Sequence, residues 1–581
     1  MNDERGMQAA RVTRRQLLRY ASGTSAAALA ALLAACGGGG GAPPNPPTEA
    51  PKPTTGTGTG AGAQVGTVVT GSAVARPTAA SAQATVATGS SVAQASGTPK
   101  RGGVLIVGRT TDTTSLEPHK DASAGRAWTT QLLYSYVVQT DKNLHIQPDL
   151  AEKWEISPDG KTYTFSVRKG VTFHNGRELV ATDIKYSLER ILDPATAAYG
   201  RGFILSIDSI ETPDPYTVKL NLKTADASLL ASLASGFAGI VAKEEVEKAG
   251  GALTKSDGGS GPFMLDELQQ GQAVKLKRHP HYYLKDQPYL DGITFQLIPE
   301  ESSIISQLRS GNVHFAVLND NKNYDLVKDV ANLTALRSPR QGFDYVNITN
   351  QREPFGKLEV RQAMSWALDR REVLQAAHGG YGRLTAPIPP ALVDYALDGE
   401  SLLQYKPDLN KAKDLLAKAG LPNGFKTELQ SPAGFPQLIN TAQVVAGDLK
   451  KIGIDVELKQ IEYGTWIKGF QNHEFIMTTN LTSGNADPDA VLYPRLSSKG
   501  ANNNSWNDAE VDDLLLQGKT ALDPQKRVEI YKKVQQVLID KAPQLWTVSA
   551  DLIEVMKKNV KGYVSHPSGF TNGLVATWLE S

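Results

Sequence analysis

Cysteine is almost missing from this chain: its 581 residues contain one, Cys36. A lone cysteine excludes an internal disulfide. A core built from this much chain does not need one, even in an oxidising compartment. Charge of one sign is missing too. Lys and Arg number 61 against 60 Asp and Glu, a formal net charge of +1. That balance argues against nucleic acid as a partner, because such surfaces are basic. After residue 36 there is no second hydrophobic run approaching the ~20 residues that span a bilayer. Motifs of covalent chemistry are also incomplete. Gly258-Gly259-Ser260-Gly261 ends on Pro262 where a nucleophile elbow needs glycine. His473-Glu474 lacks the second histidine of a zinc-protease helix, and the glycines at 56, 58, 60 and 62 have no strand-turn-helix context for a dinucleotide. Glu300 and Glu301 do not form a glycosidase pair by adjacency, since spatial separation decides that. His279 and His281, two apart on an expected strand, are the best metal candidates, yet such residues share a face without binding anything. No catalytic residue, cofactor or metal is assigned, and the chain reads as non-enzymatic.

What is present begins at the N-terminus. Arg14 and Arg15 precede an apolar stretch from Ala21 to Ala35, followed by Cys36. A charged region, a short apolar region and a small-residue cleavage site form an export signal. Leu33-Ala34-Ala35-Cys36 resembles a bacterial lipoprotein lipobox, which implies lipidation of Cys36 and removal of residues 1–35. Thr13 to Arg19 resembles a twin-arginine signal. From residue 36 to about 100 the sequence is Gly, Ala, Thr, Ser, Pro and Val with few charges, too little apolar surface to offset its ordering entropy. It reads as a disordered tether with a root-mean-square span of about 45 Å.

Order is expected from Gly103. Val104–Val107 reads as a buried strand. Trp154–Ile156 and Tyr163–Val167 alternate with period two around Ser157-Pro158-Asp159-Gly160, which predicts a hairpin. Thr217–Leu222 predicts another strand. Val360, Ala363, Met364, Ala367 and Leu368 share a helix face. Asp369 with Glu372 has the spacing of a capping box. Ala412–Ala419 reads as a helix ended by Gly420, and a helix over 441–451 should feed a strand over 454–458. This mixture fits an α/β protein with several lobes.

The run Leu150-Ala151-Glu152-Lys153-Trp154-Glu155, Asp159-Gly160-Lys161-Thr162-Tyr163-Thr164-Phe165 and Arg168-Lys169-Gly170-Val171-Thr172-Phe173-His174-Asn175-Gly176 resembles the signature of family 5 extracellular solute-binding proteins. Further blocks keep the family's order: Gly259-Ser260-Gly261-Pro262-Phe263, Val360-Arg361-Gln362-Ala363, Leu368-Asp369-Arg370 and Asp487-Pro488-Asp489. The resemblance covers about residues 101–581. It implies a periplasmic-binding-protein-like α/β fold of class II, with two lobes, a hinge and an extra inserted domain. By that analogy the first lobe takes 101–133, 259–340 and 545–581, the inserted domain 134–258, and the second lobe 341–544. It also implies a monomer that hands a small-molecule solute to ABC permease subunits, held to the membrane by its lipid.

The same resemblance places the ligand between the lobes. The edge Asn480, Leu481, Thr482, Ser483, Gly484 and Asn485 would pair with an extended peptide backbone. Tyr463 aligns with a pocket aromatic, with Trp466 one turn away; core packing is the alternative for both rings. Ser123, Ala124 and Gly125 would form the opposite wall. The family's peptide receptors carry an Asp for the ligand ammonium where Gly484 stands, and dipeptide relatives use an Arg where Ser431–Phe435 holds no base. Both losses argue against short zwitterionic peptides, because a buried charge needs a partner. Longer peptides and neutral oligosaccharides remain, as does a peptide sensor or chaperone without transport. Asp487 and Asp489 read as turn and helix-cap residues, and His174 as a structural turn residue.

Overall fold

The first strand, Val104–Arg109, is central to its sheet: it pairs in parallel with Gly292–Leu297 on one side and Phe315–Leu318 on the other. The computed structural model describes residues 97–580 apart from 483–484, 501 and 504–505. Cys36, the signal segment, the tether up to residue 96, Ser483 and Gly484 lie outside the described residues. The expected fully buried run is corrected in one respect. Leu105 and Val107 are wholly buried, but Val104, at the first position of the strand, is 47 % exposed.

The sheet continues through Ala273–Arg278 to Phe263–Gln269 on one flank, and through Val548–Lys557 to Leu333–Pro339 on the other. A second sheet runs Asp455–Ile461, Lys426–Pro432, Met477–Thr482, Phe343–Ile348, Gln544–Trp546. A third, antiparallel sheet holds Ala151–Ile156, Thr162–Val167, Thr217–Leu222 and Ile207–Asp214. It contains the expected hairpin, in which Trp154 faces Phe165. Tyr163 and Phe165 are wholly buried, in the same cluster as Leu105, Phe295 and Met556. The third sheet therefore shares a core with the first. The second sheet has its own core, with Val346, Met364, Leu416, Val445 and Met477 packed from sheet and helices.

The chain passes between the first two sheets at two adjacent places. Leu333–Pro339 leads into Phe343–Ile348, and Gln544–Trp546 leads into Val548–Lys557. Thr547 lies between the latter pair, its N–H and Oγ1–H both donating to Asp344 O at 3.2 and 2.7 Å. Ser549 Oγ donates to Gly342 O at 2.7 Å. A Cβ on Gly342 would sit 1.9 Å from Thr482 O, so glycine is required where this crossing meets the second sheet. Paired crossing strands of this kind form a two-strand hinge.

Local signals mostly translate directly. The predicted helix face belongs to Leu358–Ala367, where Val360, Ala363, Met364 and Ala367 are buried. The helix predicted over 441–451 starts earlier, at Pro436, whose fixed φ suits a first turn. The capping box is half formed. Asp369 accepts from Arg371 N and Glu372 N, but its own N–H donates to Asp448 Oδ2 at 2.8 Å instead of to Glu372. His279 follows the strand Ala273–Arg278 rather than lying on it, is buried, and its Nδ1 faces Gly261 O at 3.2 Å, while His281 is exposed. His174 packs edge-on against His279 and pairs with Asp257 at 2.5 Å.

Candidate functional site

The lobes meet along one interface. Leu144, from the turn after Val138–Thr140, enters the cluster that contains Phe343, Leu392 and Leu514. His145 lies 3.3 Å from Asp394. Ala227 N–H donates to Lys519 O at 2.8 Å. Gln341 N–H donates to Pro567 O at 2.9 Å beside the hinge.

Next to Gln341 and His566 lies a partly open pocket of about 250 Å³. Gln131 reaches it from the helix Ala124–Leu133, Asn572 from the turn Thr571–Leu574, and Asn485 from the segment before helix Pro488–Leu496. Tyr199, Phe203 and Phe237 form an aromatic wall, with Phe203 stacked on Phe237 at 5.7 Å and Tyr199 edge-on to it at 6.0 Å. Arg126 Nη2 donates to Tyr199 Oη at 2.8 Å. Burial raises the Tyr199 phenol while the Arg126 charge opposes it, so the group stays protonated. With its oxygen already accepting from Arg126, its O–H is free to donate elsewhere. His566 sits between Thr140 Oγ1 at 3.2 Å and Ser568 Oγ at 2.8 Å. Burial pushes its ring down to about 4, so it is neutral at physiological pH. The lining carries no Asp, Glu, Lys or Arg among the described residues.

Of the described residues expected from sequence, this pocket takes in Asn485. Asn480, Leu481 and Thr482 end the strand Met477–Thr482, opposite Tyr345, Asp344 and Phe343. Because Asp344 O is turned toward Thr547, Leu481 does not bond to Asp344. Its N–H and C=O face the other edge, where pairing with Lys426–Pro432 involves only Met477 and Thr478. The Leu481 N–H is taken there by the Asn480 carboxamide oxygen at 2.7 Å.

Tyr463 opens the helix Tyr463–Gln471 and is 46 % exposed. It lies in an aromatic row, 5.1 Å from Phe435 and 6.1 Å from Trp466, which continues to Phe470 and Phe475. Trp466 is buried and donates from Nε1 to Thr478 Oγ1 at 2.8 Å, an ordinary core setting. Ser123 caps the helix Ala124–Leu133, its Oγ accepting from Arg126 N at 3.3 Å. A Cβ on Gly125 would lie 1.9 Å from Asp112 O, so this start of helix needs glycine for close packing. Asp487 caps its helix and binds Arg527 through both oxygens at 2.7 and 2.8 Å.

Gln131, Tyr199, Phe237 and Asn572 were not singled out in the sequence. Uncharged polar and aromatic residues scattered over a helix and separate turns carry no spacing signal, and only the fold brings them together.

Two α/β lobes joined by paired crossing strands and meeting around a small pocket have the architecture of a periplasmic-type binding protein. The model for bacterial extracellular solute-binding proteins, family 5, matches residues 145–503. Heme-binding protein A of Haemophilus influenzae is 29 % identical over 472 residues, covering 76 % of this chain and 86 % of its own. The dipeptide-binding protein of Escherichia coli K12 is 30 % identical over 456 residues, covering 73 % and 84 %. The solved Helicobacter pylori periplasmic binding protein DppA, in complex with the peptide STSA, superposes with a TM-score of 0.72 at 28 % identity over 83 % of this chain and 99 % of that one. The chain belongs to the bacterial extracellular solute-binding proteins of family 5.

Proposed function

We propose that the protein is the lipid-tethered, extracytoplasmic receptor of an ABC importer, capturing a peptide-class solute between its lobes and presenting it to the permease. The observation that carries this reading is the strand end at Leu481, whose backbone edge, its N–H capped by the Asn480 side chain, faces away from Phe343–Ile348 a few residues before the pocket residue Asn485. An extended ligand adds its own backbone to such an edge, and adjacent pockets take alternate side chains. Capture needs no bond chemistry. The open form binds weakly, the closed form tightly, and ligand shifts the hinge population toward closure.

A second reading, a receptor for neutral oligosaccharides on the same fold, is favoured by one observation: the lining has no ionised group to pair with a zwitterion. The stretch Ser431–Phe435 supports the same exclusion of dipeptides. Ser431 is turned to Thr479 Oγ1 at 2.8 Å and Phe435 packs at a tilt against Tyr463, and none of residues 431–435 is basic. Thermal-shift measurement against tetrapeptides, dialanine, cello- and xylo-oligosaccharides, glutathione and nickel separates the two. A ligand at a hundredfold excess over its Kd adds about 2.7 kcal/mol of stability. A shift with sugars alone would overturn the peptide reading.

A further inference from the structure

The pocket behind Asn485 leaves hydrogen-bonding capacity unused. Asn485 Oδ1 and Asn572 Oδ1 are both buried and have no partner among the described residues. They reach the pocket from opposite lobes, and buried acceptors of this kind cost roughly 1–3 kcal/mol each when left unpaired. The Asn572 amide end is already fixed, because Nδ2 donates to Gln131 Oε1 at 3.2 Å. Facing them, Tyr199 offers an O–H whose oxygen is held by Arg126 at 2.8 Å. Phe203 and Phe237 give the wall an aromatic face, and Thr140, Ser235, Gln341, His566 and Ser568 add uncharged polar groups to the rest of the lining.

Resting on the receptor reading above, we infer that this pocket is a selective subsite for an uncharged group that both donates and accepts hydrogen bonds, a hydroxyl or a carboxamide, with an apolar face laid on the aromatic wall. Asn485 and Asn572 accept from that group across the lobe interface, and Tyr199 donates to it. A carboxylate would set its lone pairs against two amide oxygens. An ammonium would be desolvated with no counter-charge. At about 250 Å³ the space suits one such group, being smaller than the roughly 300–1,000 Å³ of drug-sized sites. Because Asn485 and Asn572 stand on different lobes, a group bridging them also favours lobe contact.

Two sources supply this chemistry: the side chain of a Gln, Asn, Ser or Thr in a peptide, or a sugar ring. Calorimetric titration of the full chain has one arm for each. The first uses Ac-Ala-Ala-X-Ala-NH2 with X as Gln, Ala, Glu or Lys; the second uses cellobiose against cellobionate. In at least one arm the uncharged donor-bearing probe binds at least tenfold tighter than its charged or donor-free counterpart. Asn485→Leu and Asn572→Leu each erase most of that preference, and Tyr199→Phe, which keeps the ring and tests the site without disturbing packing, lowers it about fivefold. Equal or tighter binding of the charged probes in every arm that shows binding overturns the inference, as does a preference that all three variants retain. Binding of the X = Ala peptide with lobe compaction but no discrimination removes the subsite and leaves the receptor reading standing. If no probe of either arm binds or changes the scattering, the receptor reading fails and takes this inference with it.

Discussion

Lys519 Nζ lies 3.7 Å from Asp226 Oδ2, one residue on the helix Ala509–Thr520 and the other in the segment after Thr217–Leu222. The same ammonium is 3.7 Å from Asp489, and Asp487 with Arg527 packs alongside. Three carboxylates and two cations thus share a mostly buried cluster across the lobe contact. Removing the cation leaves Asp226 and Asp489 facing each other unpaired, and breaking a buried pair costs roughly 3–5 kcal/mol. Lys519→Met is therefore expected to lower ligand affinity at least tenfold, about 1.4 kcal/mol, by disfavouring closure. Calorimetry on the variant checks this; unchanged affinity would show that the contact does not contribute.

The cluster also sets a pH dependence. Burial, reinforced by Asp487 and Asp226 and opposed by Lys519 and Arg527, pushes the Asp489 carboxyl up to about 7. An unfolded aspartate titrates near 3.9. Between those values the folded chain holds a proton that the unfolded chain has released, so stability from this group falls as pH rises from about 4 through about 7. Asp489→Asn removes the group and keeps its shape. The variant's melting temperature relative to the parent should rise from pH 5 to pH 8. A constant difference across that range would contradict the shift.

Tyr463 and Trp466 stack on each other, yet their substitutions should separate. Trp466→Ala deletes a buried ring and the hydrogen bond it donates to Thr478 Oγ1, at a cost of about 3–5 kcal/mol. Tyr463→Ala removes a half-exposed ring and should leave chemical denaturation within about 1 kcal/mol of the parent while weakening ligand binding. A Tyr463 variant that loses stability with affinity intact assigns that ring to packing.

Asp487 and Arg527 form a buried two-bond ion pair, and Asp487 also caps its helix. Asp487→Ala is expected to cost at least 3 kcal/mol, combining the stranded guanidinium with about 1 kcal/mol for the lost cap. Urea unfolding measures it, and a loss below 1 kcal/mol would contradict this account of the pair.

Cys36 carries the prediction for the tether. Cys36→Ser should move the protein from the membrane fraction to the soluble fraction. Membrane retention by the variant would refute lipidation at that residue.

Much of the architecture was legible because it rests on local rules. The 157–160 turn dictates its hairpin, and the helix ending before Gly420 needs a residue that tolerates φ +79°. Signals failed where a distant residue intervened. The capping box at Asp369 lost half its bonds to Asp448, which lies on a helix 79 residues away in sequence. Of the candidate pocket, family order pointed to Asn485. Gln131, Tyr199 and Asn572 converge from three loops and helices with no common spacing, so a single chain read by periodicity does not reveal them.

Small-angle scattering of the full chain, with and without saturating Ac-Ala-Ala-Gln-Ala-NH2 or cellobiose, tests hinge capture most directly. The account predicts a smaller radius of gyration in the presence of whichever probe calorimetry shows to bind, with that probe recovered chemically unchanged. Superimposable curves with a probe bound, or conversion of the probe to a product, would contradict it.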